Sequence, residues 1–142
     1  MILLDTDHTT LLKYPESERG TRLVVRLKVR PPGAVLAVSI VTVEEQMRGW
    51  LASVAKERLA RRQVVAYTEL ARLFDYFRTF HVAPFDERAA DQFDALRSAK
   101  IRLGTMDLKI AAIALVNDAL LLSANRRDFE RVPGLRVENW LD

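Results

Sequence analysis

The sequence predicts a three-layer α/β/α domain with a mainly parallel sheet of four or five strands. Several short apolar runs lack alternation with polar residues, which indicates strands buried on both faces. Longer segments with apolar residues at helical spacing separate these runs, an order typical of a parallel sheet covered by helices. The chain has 142 residues, of which 49% are hydrophobic and 29% are charged. This size and composition suit one packed domain over residues 1–142.

The first part of the chain predicts two buried strands with a helix between them. Met1–Asp5 is an apolar run that ends in an acid and leads into a loop or a helix start. A helix is expected over Glu16–Val29, and Pro31 and Gly33 end it because proline cannot continue a helix. Val35–Ile40 is short and rich in β-branched residues, which predicts the second strand.

The middle of the chain predicts a helical hairpin between strands. Thr42 has the features of a helix N-cap, and Glu45 three residues later completes a capping-box pattern. Helical spacing continues to about Leu59, and a further helix is expected over Val64–Phe80. Two such helices in sequence indicate an antiparallel pair.

The last part predicts two more strands, two helices and a short final strand. Pro84 places the strand His81–Phe85 at an edge or near its own end. Asp86 is expected to cap a helix that runs to about Ser98, and Thr105 one that runs from Met106 to Asn117. The remaining predicted elements are a strand at Ala119–Ala124, a turn at Val132-Pro133-Gly134 and a strand at Arg136–Trp140.

Composition excludes several classes of protein. The absence of Cys rules out disulfides and thiolate metal sites and suits a reducing cytoplasm, where we expect the protein to act. The N-terminus lacks the features of a signal peptide, and no run is long enough for a membrane span, so a membrane partner is not expected. The net charge of +3 is compatible with a polyanionic partner. Basic residues, taken alone, suit solvated helix faces, and here they concentrate in two segments. The first contains Arg19, Arg22, Arg26, Lys28 and Arg30, and the second contains Arg48, Lys56, Arg58, Arg61 and Arg62.

Acidic residues lie at the ends of the predicted strands or in the first turn of the predicted helices. Asp5 ends the first strand, Glu45 lies in the first turn of the helix after the second, and Asp107 lies in the first turn after Gly104. Asp128 follows the fourth strand. The carboxyl ends of parallel strands share one edge of the sheet, so we expect these acids to converge there. Taken singly, Glu45 and Asp107 also suit ordinary helix-start positions, and Asp128 a loop cap.

Converging carboxylates repel one another and raise each other's pKa, and a hard divalent cation relieves that repulsion. Oxygen ligands without Cys or nearby His favour Mg²⁺, with Mn²⁺ as an alternative, over zinc. We assign neither His8 nor His81 to catalysis, because neither has a partner visible in the sequence. Ser39 and Thr42 lack a Ser-His pairing, so we expect them to orient carboxylates by hydrogen bonds.

Four segments, in this order, resemble the PIN-domain family and especially its VapC-type toxins. They are Met-Ile-Leu-Leu-Asp-Thr-Asp at 1–7, the S-x-x-T-x-x-E element at 39–45, the G-x-x-D-x-x-I-A-A-x-A segment at 104–114 and the N-x-x-D-F element at 125–129. Val132-Pro133-Gly134-Leu135, Val137 and Trp140 also match the usual C-terminal part. The second element selects Glu45 rather than Glu44.

The resemblance implies a PIN-like fold and metal-dependent cleavage of RNA, as the toxin of a type II toxin–antitoxin pair. Asp5 and Asp107 would hold Mg²⁺, and Glu45 and Asp128 would assist, with a metal-activated water attacking the phosphodiester. The supporting residues would be Thr6, Asp7, Ser39, Thr42 and Asn125. The family also implies an antitoxin whose tail occupies the acidic site, and a homodimer, for which Trp50, Phe74 and Phe77 are candidate contacts.

This sequence departs from the family pattern at two positions. Asp7 stands where the family usually has Asn. The Asp side chain would add a negative charge near the metal, or would itself be a further ligand. Ser123 replaces the more frequent Thr before Asn125. Neither change removes an expected ligand.

Two alternatives remain open from the residues. Asp5-Thr6-Asp7-His8-Thr9 also matches the D-x-D-x-T opening of haloacid dehalogenase-like phosphatases, in which Asp5 would be the nucleophile and Asp7 the general acid. That class also needs a later acidic pair, which we do not find, and the chain is short for it. The second alternative is a catalytically silent PIN-like binding module, against which the presence of the acids argues.

Overall fold

The computed structural model describes residues 1–142 and places all five strands in one sheet. In chain order the strands are β1 (Ile2–Leu4), β2 (Leu36–Ser39), β3 (His81–Ala83), β4 (Leu120–Leu122) and β5 (Arg136–Glu138). The helices are α1 (Thr6–Leu11), α2 (Glu18–Lys28), α3 (Ile40–Lys56), α4 (Ala60–Phe77), α5 (Glu87–Ser98), α6 (Thr105–Val116) and α7 (Arg126–Phe129).

The sheet has the order β3-β2-β1-β4-β5, and every neighbouring pair is parallel. Successive strands extend from β1 first to one side and then to the other, so the order reverses between β1 and β4. The predicted α/β class and parallel sheet are confirmed, with five strands. β3 lies at an edge, as Pro84 indicated.

Two apolar cores cover the two faces of the sheet, because successive residues of a strand point to opposite faces. Leu3 of β1 packs in a core with α5 and α6, whereas Ile2 and Leu4 pack on the other side with α2 and α4. α6 is apolar around most of its circumference, and six of its twelve residues are buried, as expected for a helix of this composition. No helix combines the length and apolar character that crossing a membrane requires.

The helical hairpin begins and ends at different residues from those predicted. α3 begins at Ile40, because the Ser39 side chain caps it by accepting a hydrogen bond from the Thr42 N–H at 3.0 Å. The Thr42 capping box was therefore a wrong prediction. α3 and α4 extend over Ile40–Lys56 and Ala60–Phe77, so each ends about three residues before the predicted Leu59 and Phe80.

The turn between α3 and α4 is held by one side chain. The Gln63 Nε2 group donates to the carbonyls of Val54 and Glu57, at 3.0 and 3.1 Å. Those carbonyls lie at the end of α3, where the regular helical hydrogen bonds stop; the Val54 carbonyl also accepts from the Glu57 N–H at 3.3 Å. The predicted helix caps elsewhere have mixed outcomes: Asp86 does cap α5, but Gly104 rather than Thr105 is the N-cap of α6.

Candidate active site

Asp5 is the most buried acid at the carboxyl edge of the sheet. It follows the central strand β1 and is the N-cap of α1, where its Oδ1 accepts a hydrogen bond from the Thr6 N–H at 2.8 Å. Its Oδ2 accepts one from the Ser123 hydroxyl, also at 2.8 Å. Ser123 directly follows β4, so these contacts place Asp5 where the strand order reverses. Ligand sites of parallel sheets occur at such positions.

The surroundings of Asp5 raise its pKa. Burial is the largest cause, since only 8% of the residue is exposed, and the charges of Asp7 and Asp107 act in the same direction. The hydrogen bonds from Ser123 and Thr6 oppose the rise, and the resulting pKa is about 6. The protein therefore maintains an ionised carboxylate at neutral pH against an unfavourable environment.

Asp107 approaches the same place from the first turn of α6. Burial raises its pKa, followed by the charges of Asp128 and Asp7. The charges of Asp7 and Asp107 thus act on Asp5, and those of Asp128 and Asp7 act on Asp107. The sequence predicted that the acids converge, and the fold brings these four together.

Glu45 is linked to Asp5 through Thr6. Its Oε2 accepts a hydrogen bond from the Thr6 hydroxyl at 3.0 Å, while the Thr6 N–H donates to Asp5. Glu45 was expected in the first turn of its helix, but α3 begins at Ile40 and contains no acid in its first turn. A position one turn further along α3 brings the carboxylate over α1.

Asp7 binds the protein rather than pointing freely into the site. Its Oδ1 accepts a hydrogen bond from His8 Nδ1 at 2.5 Å, and its Oδ2 accepts one from the Ala124 N–H at 2.9 Å. Burial raises the pKa of Asp7, but the hydrogen bonds from His8 and Ala124 outweigh burial, and the pKa lies below its ordinary value. Asp7 is therefore a fixed anion that ties α1 to the end of β4.

His8 has a structural partner that the sequence could not reveal. The residue is fully buried, and its Nε2 accepts a hydrogen bond from the Trp140 backbone N–H at 3.1 Å. A backbone amide can only donate, so Nε2 is unprotonated and the ring proton lies on Nδ1, facing Asp7. His8 thus connects the acidic edge to the C-terminal segment, 132 residues away.

The hydroxyls of Ser39 and Thr42 do not contact a carboxylate. Both side chains are buried; Ser39 caps α3, and its hydroxyl lies 3.3 Å from that of Thr42. We expected them to orient carboxylates, but the early start of α3 uses Ser39 to satisfy the helix terminus. Their effect on the site passes through the position of α3, which carries Glu45.

Asn125 and Asp128 lie in and beside the short helix α7. The Asn125 backbone N–H donates to the Ser123 hydroxyl at 3.0 Å, and the Asn125 side chain makes no hydrogen bond within the chain. Asp128 Oδ1 lies 3.5 Å from an Arg131 nitrogen. Asp128 is the acid whose charge affects Asp107 most.

Sequence reasoning named Thr6 as a supporting residue but missed Ser123 as a direct contact of Asp5, since it noted Ser123 only as a departure from a pattern. The available signal for Ser123 was its position near the end of the predicted strand Ala119–Ala124. Side chains at that position face neighbouring strand ends.

The donor set suits a hard divalent cation of the size of Mg²⁺. All the converging groups are carboxylate oxygens, and burial, followed by repulsion from neighbouring acids, raises the pKa of Asp5 and Asp107. No three Asp, Glu, His or Cys side chains are close enough to enclose an ion by themselves. Mg²⁺ commonly keeps several waters and uses only one or two carboxylates, so the pair Asp5 and Asp107 fits it, whereas a closed zinc site does not fit.

With this geometry, the family can be assigned. The model of the PIN domain matches residues 2–135, and the chain belongs to the PIN-domain family. The parallel five-stranded sheet and the acids at its carboxyl edge agree with that assignment.

Curated relatives narrow the comparison within the family. The tRNA(fMet)-specific endonuclease VapC of Salmonella typhimurium is 29% identical over 109 residues, which cover 74% of this chain and 75% of the relative. Ribonuclease VapC2 of Haemophilus influenzae is 29% identical over 110 residues, covering 75% and 76%. Both similar proteins are named as nucleases.

Solved structures share the fold over the whole length. The VapBC-1 structure from nontypeable Haemophilus influenzae has a TM-score of 0.76 at 21% identity and covers all of both chains. The DNA-bound VapBC from Salmonella typhimurium has a TM-score of 0.73 at 24% identity and covers 99% of each chain. At this identity the likeness establishes the fold.

Proposed function

We propose that this protein is a divalent-metal-dependent endoribonuclease, a hydrolase that acts as the toxin of a type II toxin–antitoxin pair. Its membership of the PIN-domain family supports the nuclease class. The VapC endonuclease and ribonuclease relatives support RNA as the substrate. The observation that carries the proposal is the acidic edge, where Asp5 is held ionised by Ser123 and Thr6 beside Asp107.

Asp5 and Asp107 would hold Mg²⁺, or Mn²⁺ in its place. When bound, the cation would neutralise charge on the scissile phosphate and activate water for attack. Ser123 and Thr6 orient the Asp5 carboxylate by donating to separate oxygens. Glu45 and Asp128 would assist by accepting a proton or by orienting water. Asp7 would keep its two protein contacts and add a fixed negative charge.

The proposed partners are an antitoxin protein and a second copy of the chain. The solved structures with the same fold come from VapBC toxin–antitoxin complexes. An apolar groove of about 300 Å³ lies between α3, α4 and β3 and offers a surface for such a partner. Of the aromatic residues considered for a dimer, Phe74 and Phe77 both line this groove. Phe74 is 61% exposed, whereas Phe77 is only 5% exposed and also packs in the core.

We further propose that residues 1–142 act as one nuclease domain in the cytoplasm. One sheet takes its central strands β1 and β4 from opposite parts of the chain, so the site cannot form from either half alone. The absence of Cys suits a reducing compartment.

The phosphatase alternative conflicts with the state of Asp7. A general acid must be protonated when it acts, but the pKa of Asp7 lies below its ordinary value and both its oxygens accept hydrogen bonds. The PIN-domain match also places the chain in another family. A generic phosphate monoester should therefore not be turned over, and turnover blocked by Asp7→Asn would favour the phosphatase.

The silent-module alternative conflicts with the pKa of Asp5. A binding scaffold has no need for a buried carboxylate that is destabilising when ionised, whereas a metal site does.

The direct test is cleavage of RNA by the purified protein. We expect endonucleolytic products with Mg²⁺ or Mn²⁺, no cleavage in EDTA, and recovery when the cation is restored. Asp107→Asn should remain folded by circular dichroism and be inactive. Retained, EDTA-resistant cleavage by that variant would exclude the proposed chemistry.

A further inference from the structure

A continuous groove leads from the acidic edge along α3 to the turn before α4. It consists of two adjoining depressions of about 410 and 270 Å³, which share Trp50 and Ser53. The first begins at Thr6 and Glu45, both part of the acidic site, and the second ends at Lys56 and Arg62. One stripe of α3 forms the floor, because residues at these spacings lie on one side of a helix.

The groove is about the length of a short oligonucleotide. Glu45 and Lys56 are eleven residues apart on one helix, which corresponds to about 16 Å at a rise of about 1.5 Å per residue. One strand of nucleic acid advances about 3.4 Å per stacked nucleotide, so the groove could follow at most about five nucleotides.

Two exposed cations, Lys56 and Arg62, line the far end of the groove beside Glu57, and Arg58 and Arg61 are close to them in sequence. The four cations Lys56, Arg58, Arg61 and Arg62 form no ion pair within the chain. Most other exposed arginines do form one. Arg61 and Arg62 also lie in the first turn of α4, which contains no acid. Positive charge opposes the helix dipole there, so helix stability does not explain these residues.

Two further features suit a nucleic acid that lies across α3. Trp50 is half-buried at the junction of the two depressions, so part of its ring is open to a base. Gly49 lies beside it within α3, and a Cβ there would meet nothing within 4 Å. Glycine inside a helix is destabilising by roughly 0.5–1 kcal/mol relative to Ala, and packing does not require it here. Because Gly49 has no side chain, a ligand could approach the backbone of α3 closely at this position.

We propose that single-stranded RNA runs along this groove, stacks a base on Trp50 and has its backbone bound by Lys56 and Arg62. The inference rests on the proposed function, since it takes the acidic edge as the cleavage site. Phosphates bind the cations sequence-independently, while the aromatic ring accepts any base. The groove therefore positions the strand on one side of the scissile bond.

Binding of a fluorescein-labelled twelve-nucleotide single-stranded RNA in EDTA separates affinity from cleavage. Lys56→Ala/Arg62→Ala should lower the affinity at least about tenfold, and the slope of log affinity against log salt should fall by about 1.4, since two phosphate contacts are lost. Arg22→Ala/Lys28→Ala on α2 is the matched control, because it removes the same charge outside the groove. It should change affinity less than about twofold. Equal losses in the two double variants would overturn the proposal.

Trp50 provides a spectroscopic signature, because the only other tryptophan, Trp140, is buried. RNA should quench tryptophan fluorescence in the wild type and in Lys56→Ala/Arg62→Ala at saturating RNA, but not in Trp50→Phe. Trp50→Ala should weaken binding about tenfold, and Trp50→Phe should recover most of the loss by stacking. Quenching that persists in Trp50→Phe would contradict the assigned platform.

A poly-glutamate peptide distinguishes RNA from an acidic polypeptide. It should bind weakly and should not quench Trp50, and binding as tight as that of RNA would overturn the proposal. The outcomes also separate the inference from the proposed function. Groove-dependent RNA binding without any cleavage would leave the inference standing and remove the nuclease; cleavage with unaltered binding in the groove variants would do the reverse.

Discussion

The two ends of α3 differ in charge and in how firmly their side chains are held. At its start, α3 places Glu45 beside buried acids that are fixed by Thr6, Ser123 and His8. At its end, Lys56 is exposed and makes no ion pair, and the same holds for Arg62 in the first turn of α4. Chemistry at a scissile bond needs fixed geometry, whereas an RNA backbone needs only positive charge within reach. Variants at the acidic end should therefore affect catalysis or folding strongly, and variants at the basic end should affect affinity modestly.

The largest effect should come from Asp107→Asn. Loss of one carboxylate from a two-carboxylate cation site should lower kcat/KM for RNA by at least about 100-fold. Asp94→Asn, an exposed acid on α5, is the matched control and should retain activity. Comparable activity in the two variants would remove Asp107 from the site.

The second largest effect should be a loss of stability when His8, which holds the acidic end together, is replaced. His8→Ala should lower the free energy of unfolding by about 2–4 kcal/mol, because it leaves Asp7 and the Trp140 N–H without their buried partner. His81→Ala, at an exposed edge-strand position, should change it by less than about 0.5 kcal/mol. Urea denaturation measures both values, and a small change in His8→Ala would show that the connection to the C-terminal segment is weak.

Asp5→Asn should stabilise the metal-free protein at neutral pH. The pKa of Asp5 is raised in the folded state to about 6, so ionisation costs the fold up to about 3 kcal/mol above that pH. Below about pH 3.8 the carboxyl is protonated in both states, and the difference from Asn vanishes. Between these values the wild type should lose stability relative to Asp5→Asn as pH rises. Urea denaturation in EDTA from pH 4 to 8 measures the free energy of unfolding of both proteins. A difference between them that does not change with pH would contradict a cost of ionising the buried Asp5.

Ser123→Ala should weaken metal binding about tenfold while the protein stays folded. The hydroxyl donates to Asp5 Oδ2 and accepts from the Asn125 N–H, so its loss leaves the carboxylate less oriented and raises its pKa further. Ser123→Thr supplies the same hydroxyl and should recover affinity. Isothermal titration with Mn²⁺ distinguishes the outcomes, since equal affinity in the Ala variant would deny Ser123 an orienting role.

The smallest effect should come from Gly49→Ala in the groove. The added methyl meets no atom within 4 Å, so the helix should gain roughly 0.5–1 kcal/mol in stability. Thermal unfolding tests this, and destabilisation would mean that Gly49 is needed for packing.

Much of the fold was predictable because the strands β1, β2 and β4 are largely buried and mainly apolar. The runs Met1–Asp5 and Ala119–Ala124 each predicted a buried strand, and the acids that follow could be placed at one edge of the sheet; the structure makes both strands neighbours within it. The helix starts were less predictable: Ser39 and Thr42 both suit an N-cap, and only the structure selects Ser39. Contacts such as that between His8 and Trp140 join residues 132 positions apart and leave no local pattern.

Thermal unfolding with and without a divalent cation tests the central claim most directly. Mg²⁺ or Mn²⁺ at about one hundred times its dissociation constant should stabilise the wild type by about 2.7 kcal/mol and raise its Tm, because only the folded site binds the ion. Asp5→Asn and Asp107→Asn should show no such rise, and Asp94→Asn should behave as the wild type. A Tm that is unchanged by millimolar cation in the wild type, or that rises equally in all four proteins, would contradict a metal site built on Asp5 and Asp107.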